Sequence, residues 1–236
     1  MSTPTSYELL RAPTGAGDGR WYGVHVAVVS DIKDPDGLAR VKIELPWSPD
    51  PDGKPWEAWA RLATLMAGGD RGTFFVPDVG DEVLVAFQAG DPAHPFVVGA
   101  LWNGQDKPPV SMDGAGRNDI KEICSRTGVK VTLDDTSGTQ RLQLETPGGT
   151  KVVLSDGPSK LLAQDANGNS VELASSGVTV TASGKVTINA STAELSAGSV
   201  TVNAGISTFS GVVKCDTLIS SSVVSASYTP GAGNIW

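Results

Sequence analysis

The chain has 236 residues and a formal net charge of −8 at pH 7. This acidity disfavours nucleic acid and anionic membranes as ligands, because phosphate would be repelled and no block of Lys and Arg offsets the charge. No apolar run approaches the roughly 18 residues of a membrane span, and the N-terminus lacks the basic and apolar regions of a signal peptide, so we expect synthesis in the cytoplasm.

Alternating apolar residues predict five strands in the first half of the chain. In the fourth strand, Val83, Val85 and Phe87 share one face. The third segment is ambiguous between helix and strand, and we assign it to a strand because alternating segments flank it. We expect Pro46 to end the second strand, since proline cannot donate to a ladder. The five segments are 21–30, 39–47, 56–66, 81–88 and 94–102.

Five strands without a convincing helix favour a small closed barrel of the OB type at 21–102, because closure removes exposed sheet edges. Most aromatic residues and prolines lie in this part, whereas short runs of Val, Thr, Ser, Ala and Gly follow it. A turn-rich connector at 103–119 therefore separates two domains. We place a contact segment at 1–20, a β-helical shaft at 120–225 and a terminal tip at 226–236.

The shaft region predicts three short strands within 128–156 and two more within 160–177, separated by turn signals such as Asn167-Gly168-Asn169. After residue 177, strand starts recur about every seven or eight residues, which is a repeat signature. Each of these late strands has an apolar face of only two or three residues. Such a strand cannot form a core by itself.

Three arrangements would bury these faces: a sandwich, a single-chain β-solenoid, or several identical chains wound about one axis. A sandwich needs larger side chains, and a solenoid needs longer coils and end caps. Small β-branched residues at a short period favour an intertwined trimer, in which we expect every shaft strand to pair with a neighbouring chain. The residues alone leave the number of chains open. The predicted fold is all-β, an OB-type barrel followed by a trimeric β-helix (β-prism). Its predicted trimer core is Val178, Val180, Val186, Ile188, Leu195, Val200 and Val202.

Two long stretches resemble the OB domain of contractile-tail spikes, namely GVHVAVVSDIKDPDGLARVKIELPW and FVPDVGDEVLVAFQAGDPAHPFVVGALWNGQDKPP. These spikes are the phage baseplate assembly protein V and the VgrG-like proteins. A third stretch, SRTGVKVTLDDTSGTQRLQLET, resembles the start of their β-helical region. The resemblance rests on motif order and covers about residues 20–225.

The resemblance implies a homotrimeric, membrane-piercing spike beneath the inner tube of a phage tail or contractile injection particle. Residues 1–20 would face the hub or the tube, and no hub-like domain precedes the barrel, so we expect a separate hub protein. The C-terminus would face the target envelope and carry a PAAR-like tip protein, although a frayed tail is the alternative. The predicted docking residues are Tyr228, Pro230, Ile235 and Trp236.

The sequence predicts no enzyme, cofactor site or metal site. His25 and His94 lack the convergent ligands that a metal needs. Asp31, Asp34 and Asp36 lack the spacing and closing Glu of a calcium loop, so a hairpin turn explains them better. The segment 134–138 has the same explanation. Serines in the tail have no positioned base and are not expected to act as nucleophiles.

Two further sets of residues have competing explanations. Cys124 and Cys215 lie far apart without a CxxC context, and we interpret them as buried or half-buried small residues. Trp47, Trp56 and Trp59 suggest an alternative function, an OB-fold module on a β-stalk that stacks sugars or single-stranded nucleic acid. The acidic charge and nearby prolines favour packing roles for these tryptophans instead.

Overall fold

A computed structural model describes residues 19–49 and 52–227. The predicted tip residues Tyr228, Pro230, Ile235 and Trp236 lie outside the described residues, as does nearly all of the predicted contact segment 1–20. Within the described ranges, no helix is long and apolar enough to span a membrane.

The first domain is a closed barrel of five strands in the order β1-β2-β3-β7-β6. Neighbouring strands are antiparallel except β3 and β7, which are parallel. A two-stranded hairpin, β4-β5, accompanies the barrel. The strands are β1 (Val24–Asp31), β2 (Val41–Pro49), β3 (Pro55–Leu62), β4 (Ala67–Gly68), β5 (Arg71–Gly72), β6 (Glu82–Phe87) and β7 (Pro95–Ala100).

The barrel core consists of the inward half of each alternating strand. Val83 and Val85 are fully buried and Phe87 is nearly so, as the sequence predicts. β-Branched residues pack well on a pleated, half-buried surface, which is why these segments form strands. The predictions of an all-β chain, of a five-stranded OB-type barrel and of a strand at the ambiguous third segment are confirmed. The other large, fully buried side chains are Val29, Val41, Ile43 and Leu45.

The expectation that Pro46 ends the second strand is wrong, because β2 continues to Pro49. Leu45 pairs with Trp56, the next pair is Pro49 with Pro55, and the register shifts between them. An irregularity of this kind removes the need for a ladder N–H at Pro46. The hairpin β4-β5 was not predicted, because two-residue strands are too short to show alternation.

The second sheet has seven strands in chain order, each antiparallel to the next. Five of them match the strands predicted within 128–156 and 160–177, and the last matches the late strand predicted around Val178 and Val180. The first was not predicted. The expectation that every shaft strand pairs with a neighbouring chain is wrong for this sheet, since its strands pair within one chain. The strands are β8 (Ile120–Cys124), β9 (Lys130–Asp134), β10 (Arg141–Glu145), β11 (Lys151–Asp156), β12 (Ser159–Gln164), β13 (Ser170–Ala174) and β14 (Gly177–Thr181).

A second compact unit begins at Val186. No strand is assigned anywhere in 182–227, so the strands predicted around Val186, Ile188, Leu195, Val200 and Val202 have no counterpart in the single chain. A strand needs hydrogen-bonding partners on its edge, and the described residues offer no strand that pairs with this segment.

The loop between β1 and β2 is organised by the Asp34 carboxylate, which is 4% exposed. It accepts hydrogen bonds from the backbone N–H groups of Asp36 (3.1 Å), Leu38 (2.8 Å) and Arg40 (3.1 Å). The Arg40 guanidinium donates to the same carboxylate at 2.6 Å. The side-chain bond from Arg40 is the largest of several causes that hold the pKa of Asp34 well below its ordinary value. Asp34 therefore stabilises the hairpin turn between β1 and β2, which is the role that the sequence suggests for it.

Replacing Asp34 with Asn should lower the melting temperature of the barrel at neutral pH, since the charge-assisted bonds to Arg40 are lost. A depressed aspartate pKa stabilises the fold above the unfolded pKa of about 3.9 and loses that contribution as pH falls through the folded pKa. The gap in melting temperature between parent and variant should therefore narrow progressively as the pH falls below about 4. Thermal melts across pH test this, with the exposed Asp36→Asn as the control for a smaller change. An equal gap at every pH would contradict it.

Candidate functional site

The second sheet carries two parallel rows of apolar side chains on one face. Residues directly opposite each other on paired strands lie on the same face of a sheet. In the first row, Leu142 lies opposite both Leu133 and Leu154. The row continues through Leu161 and Leu173. It ends at Val178, which pairs with Leu173.

The second row runs beside the first, two residues along each strand. Leu144 lies opposite Val131 and Val152, and Val180 ends the row opposite Val171. We call the two rows together the apolar face. Its members are Leu133, Leu142, Leu154, Leu161, Leu173 and Val178 in one row, and Ile123, Val131, Leu144, Val152, Ala163, Val171 and Val180 in the other.

The opposite face is mainly polar, with Ile120, Val153 and Leu162 as its larger apolar exceptions. Its ion pairs join neighbouring strands: Arg141 to Asp134 at 3.2 Å and Lys160 to Glu172 at 3.3 Å. Hydrogen bonds from the Thr136 side chain and backbone lower the pKa of the Asp134 carboxyl. These charges therefore find partners within the chain, so this face needs no second molecule.

Glu122 is the most enclosed carboxylate of this polar face, with 5% of its side chain exposed. Thr132 donates a hydrogen bond to its Oε2 at 3.0 Å. Its Oε1 has no hydrogen bond to the described residues and lies 3.9 Å from the Lys130 ammonium. The lysine charge offsets the enclosed carboxylate, and no further ligand is needed to explain it.

The apolar face has no comparable cover. Its leucines remain 37–47% exposed, and Val178 and Val180 are 69% and 60% exposed. Fully burying one large apolar side chain stabilises a fold or complex by about 1.5–3 kcal/mol relative to leaving it exposed. Covering the thirteen partly exposed residues of this face would therefore contribute a large favourable free energy. Contiguous exposed apolar residues of this kind occur at interaction sites, protein interfaces among them. The exposed apolar side chains of this face are suited to association with another surface.

The predicted trimer core divides into two groups in the structure. Val178 and Val180 lie on β14 at the end of the two apolar rows, which unites them with one surface. The other predicted members lie beyond the last strand, and the single chain does not bring them together. All are exposed, from 59% at Val186 to 79% at Ile188. The remaining members of this second group are Leu195, Val200 and Val202.

The sequence-based core missed most of the apolar face. It began at residue 178, where the repeat becomes plain, and left out the leucines of β9–β13. The signal was present in the alternating Leu142 and Leu144 of one strand and Leu161 and Ala163 of another. Only the cross-strand register shows that these positions align into continuous rows.

The suggested tryptophan platform does not form. Trp47 and Trp56 pack around Trp21, with ring centroids 5.5 Å and 5.2 Å from it, beside the buried Phe87. Trp59 points elsewhere, with the Arg40 guanidinium 5.8 Å above its ring. Two of the three tryptophans therefore pack against the barrel core, and they offer no row of free stacking faces.

The histidines and cysteines occupy structural or solvent positions. The His25 ring stacks on Trp47 at 5.0 Å, and His94 pairs with Asp91 at 2.9 Å. Among the described residues, no group of three His, Cys, Asp or Glu side chains is placed to hold a metal ion. Both cysteines are free; Cys124 is half-buried, but Cys215 is exposed in the single chain, against expectation. Exposure at Cys215 follows from its position in the unpaired segment after β14.

Two family models match the chain. Residues 25–102 match the type VI secretion system/phage-baseplate injector OB domain. Residues 141–207 match the phage baseplate V C-terminal trimerisation domain. The first match coincides with the barrel. The second begins at β10 and runs past β14, so it includes most of the apolar face and the predicted residues Val186 to Val202.

Curated relatives show the same kinship. The chain is 27% identical over 116 residues to the type VI secretion system spike protein VgrG1a of Pseudomonas aeruginosa, covering 46% of this chain and 18% of that protein. It is 26% identical over 113 residues to the spike protein VgrG3 of Vibrio cholerae, covering 46% of this chain and 11% of that protein. The chain thus matches less than a fifth of the length of these relatives.

A charge placed on the apolar face should prevent association. Leu144→Lys would carry an ammonium group into each copy of a dry interface, where the penalty is several kcal/mol per ion. Gln143→Lys is the matched control, because it adds the same charge to the same strand on the opposite face, where Gln143 already contacts the Glu145 carboxylate at 3.0 Å. Light scattering should show that only the Leu144 variant loses assembly. Equal assembly of both variants would contradict the assignment of the face.

Proposed function

Because the chain belongs to the family of phage-baseplate V and VgrG-like spike proteins, we propose that it is the homotrimeric central spike of a phage tail or contractile injection particle. In this role it is a structural, non-enzymatic needle below the inner tube. Sheath contraction would drive it through the target envelope.

One observation carries the proposal: a two-row apolar face stands uncovered in the segment that matches a trimerisation domain. Three copies of this face, turned toward one axis, would bury both rows in a single dry core. The polar face, whose ion pairs are already formed, would then meet solvent. Three copies of a chain with a formal charge of −8 carry −24, which favours solubility of the assembled needle.

The segment after β14 completes the needle in this proposal. Val186, Ile188, Leu195, Val200 and Val202 would point to the axis, and strands from neighbouring chains would supply the hydrogen bonds that one chain lacks. Stiffness follows, because no strand could separate without breaking several interchain bonds. The narrow side chains suit a thin threefold prism.

The partners proposed for the spike lie at its two ends. A separate hub protein and the inner tube would meet the N-terminal side, at residues 1–20. A PAAR-like tip protein would dock at Tyr228, Pro230, Ile235 and Trp236. Support for both comes from the order of the barrel and the shaft along the chain and from the kinship with spike proteins.

Light scattering of the purified full chain should give three times the chain mass of 24.3 kDa. Ile188→Asp should reduce this mass to that of a monomer or cause aggregation, because three unpaired charges would meet near one axis. A stable monomeric parent would refute the spike. A heat-stable trimer of the Ile188 variant would show that this side chain points outward.

Deleting residues 228–236 should abolish binding of a PAAR-type tip protein while the trimer mass is retained. The physical reason is that Tyr228, Pro230, Ile235 and Trp236 follow a long run of small residues and give the terminus its larger apolar side chains. Pull-down with a purified PAAR-type protein measures binding, and the undeleted chain is the control. Unchanged tip binding by the shortened trimer would contradict this docking site.

A further inference from the structure

The barrel carries an open groove of about 1160 Å³, bounded on one side by residues 63–76, which contain β4 and β5. On that side Phe74 and Phe75 are 79% and 71% exposed, although large aromatic side chains normally dominate cores and interfaces. The groove is larger than the roughly 300–1,000 Å³ of typical small-molecule sites, so its size suits a peptide segment. The barrel side is formed by apolar and aromatic residues that include Leu38, Trp59 and Phe96.

Hydrogen bonds hold the two sides of the groove in place. Ala63 N–H donates to the Val97 carbonyl of β7 at 2.8 Å, which ties the start of segment 63–76 to the barrel. Thr73 N–H donates to the Met66 carbonyl at 3.0 Å, and the Thr64 hydroxyl donates to the Thr73 carbonyl at 2.7 Å. The groove is therefore preformed, which lowers the entropic cost of filling it.

The charge of the groove is positive. Three arginines, Arg40, Arg61 and Arg71, line it, together with one aspartate, Asp70. The Arg40 guanidinium is already paired with the Asp34 carboxylate. Neither Arg61 nor Arg71 forms an ion pair with any of the described residues. A ligand that combines apolar side chains with an acidic group would therefore match the groove in both chemistry and charge.

The described part of the chain begins beside this groove. Gly19 and Arg20 line a smaller neighbouring cavity together with Gln88 and His94, and the latter two also line the groove. The Arg20 guanidinium donates to the Ala89 carbonyl at 2.9 Å, which holds this point of the chain against the turn after β6. The residues before Gly19 therefore reach the barrel surface next to the groove.

The sequence before Gly19 contains a segment of the required chemistry. Apart from Met1, the large apolar side chains of 1–18 are Tyr7, Leu9 and Leu10, with the acidic Glu8 among them. Residues 11–19 are rich in Gly, as linkers are. Nine residues span up to about 30 Å when extended, whereas the eight-residue β3 along the groove is about 26 Å long. This segment can therefore reach along the groove at the high effective concentration of a tethered ligand.

We propose that residues 7–10 dock into the groove of their own barrel. Their three apolar side chains would cover its aromatic walls, and the Glu8 carboxylate would meet Arg61 and Arg71. Docking within one protomer requires neither the proposed trimer nor the proposed hub, and it leaves residues 11–20 available for the hub contact. The groove is thereby assigned to a segment of the same chain rather than to a neighbouring copy or a small molecule.

Photo-crosslinking of the full chain tests this docking. With p-benzoylphenylalanine in place of Tyr7, irradiation should give cross-links to residues 59–66, 73–76 or 93–96 of the same chain, which migrate with the monomer on a denaturing gel. The matched control carries the same probe together with Leu9→Ser and Leu10→Ser. The tether is unchanged in the control, so a difference reports recognition and not proximity. The yield of groove cross-links should fall roughly tenfold, because the burial of two leucines is lost.

The outcomes separate this docking from the spike. Equal yields from the two chains, cross-links that map outside the groove, or groove cross-links found only in dimer and trimer bands would overturn the docking. Light scattering of the same samples reports the assembly independently. A trimeric parent without groove cross-links refutes the docking and leaves the spike standing, whereas a monomeric parent with them refutes the spike alone.

Amide hydrogen exchange provides a second measurement without a probe. Combining Tyr7→Ser with Leu9→Ser and Leu10→Ser should speed exchange at 63–76, because the groove loses its cover. The matched control, Thr5→Ser with Ala12→Ser and Ala16→Ser, changes three residues of the same segment outside the apolar cluster and should exchange like the parent. Unchanged exchange in the first variant, or equal acceleration in both, would also refute the docking.

Discussion

The structure depends on one constraint: its second sheet is apolar on one face, and none of the described residues covers that face. Side chains alternate strictly between the two faces of a strand. The register that places Leu142 opposite Leu133 and Leu154 therefore places the preceding Arg141 on the other face. There Arg141 forms an ion pair with Asp134. The polar face is thereby satisfied locally. The described residues leave the apolar face open, so the association that we propose would stabilise this half of the protein.

The barrel obeys the opposite rule. Closure pairs all five strands, and alternate residues fill an interior that a single chain completes, with Ile43 and Val83 fully buried. A self-sufficient barrel is a rigid base for features that face outward. The Arg40 guanidinium donates a hydrogen bond to Asp34 in the loop between β1 and β2. Just before the hairpin β4-β5, the Ala63 N–H donates to the Val97 carbonyl of β7. The molecule thus combines a domain that is complete alone with a sheet that is not.

Much of this organisation could be predicted from the residues. Burial on one face of a strand gives apolar residues a period of two, and this period at Val83, Val85 and Phe87 predicted a barrel strand. The turn around Gly168 separates two strands, as expected. The prediction that Pro46 ends the second strand was wrong, because the register shifts after Leu45 and no ladder hydrogen bond from position 46 is needed. The leucine rows were missed because each strand contributes only two positions, and pairing across seven strands makes them one surface.

The sequence by itself determined the all-β class, the OB-type barrel and the need of the late strands for partners, because these follow from alternation, turn chemistry and side-chain size. Only the tertiary structure decided that the strands up to Thr181 pair within one chain. It also decided that Trp47 and Trp56 pack beside Trp21. Phe74 and Phe75, which follow the short strand β5, are exposed. The physical reason is that periodicity specifies which residues share a face, whereas only three-dimensional pairing specifies what that face meets.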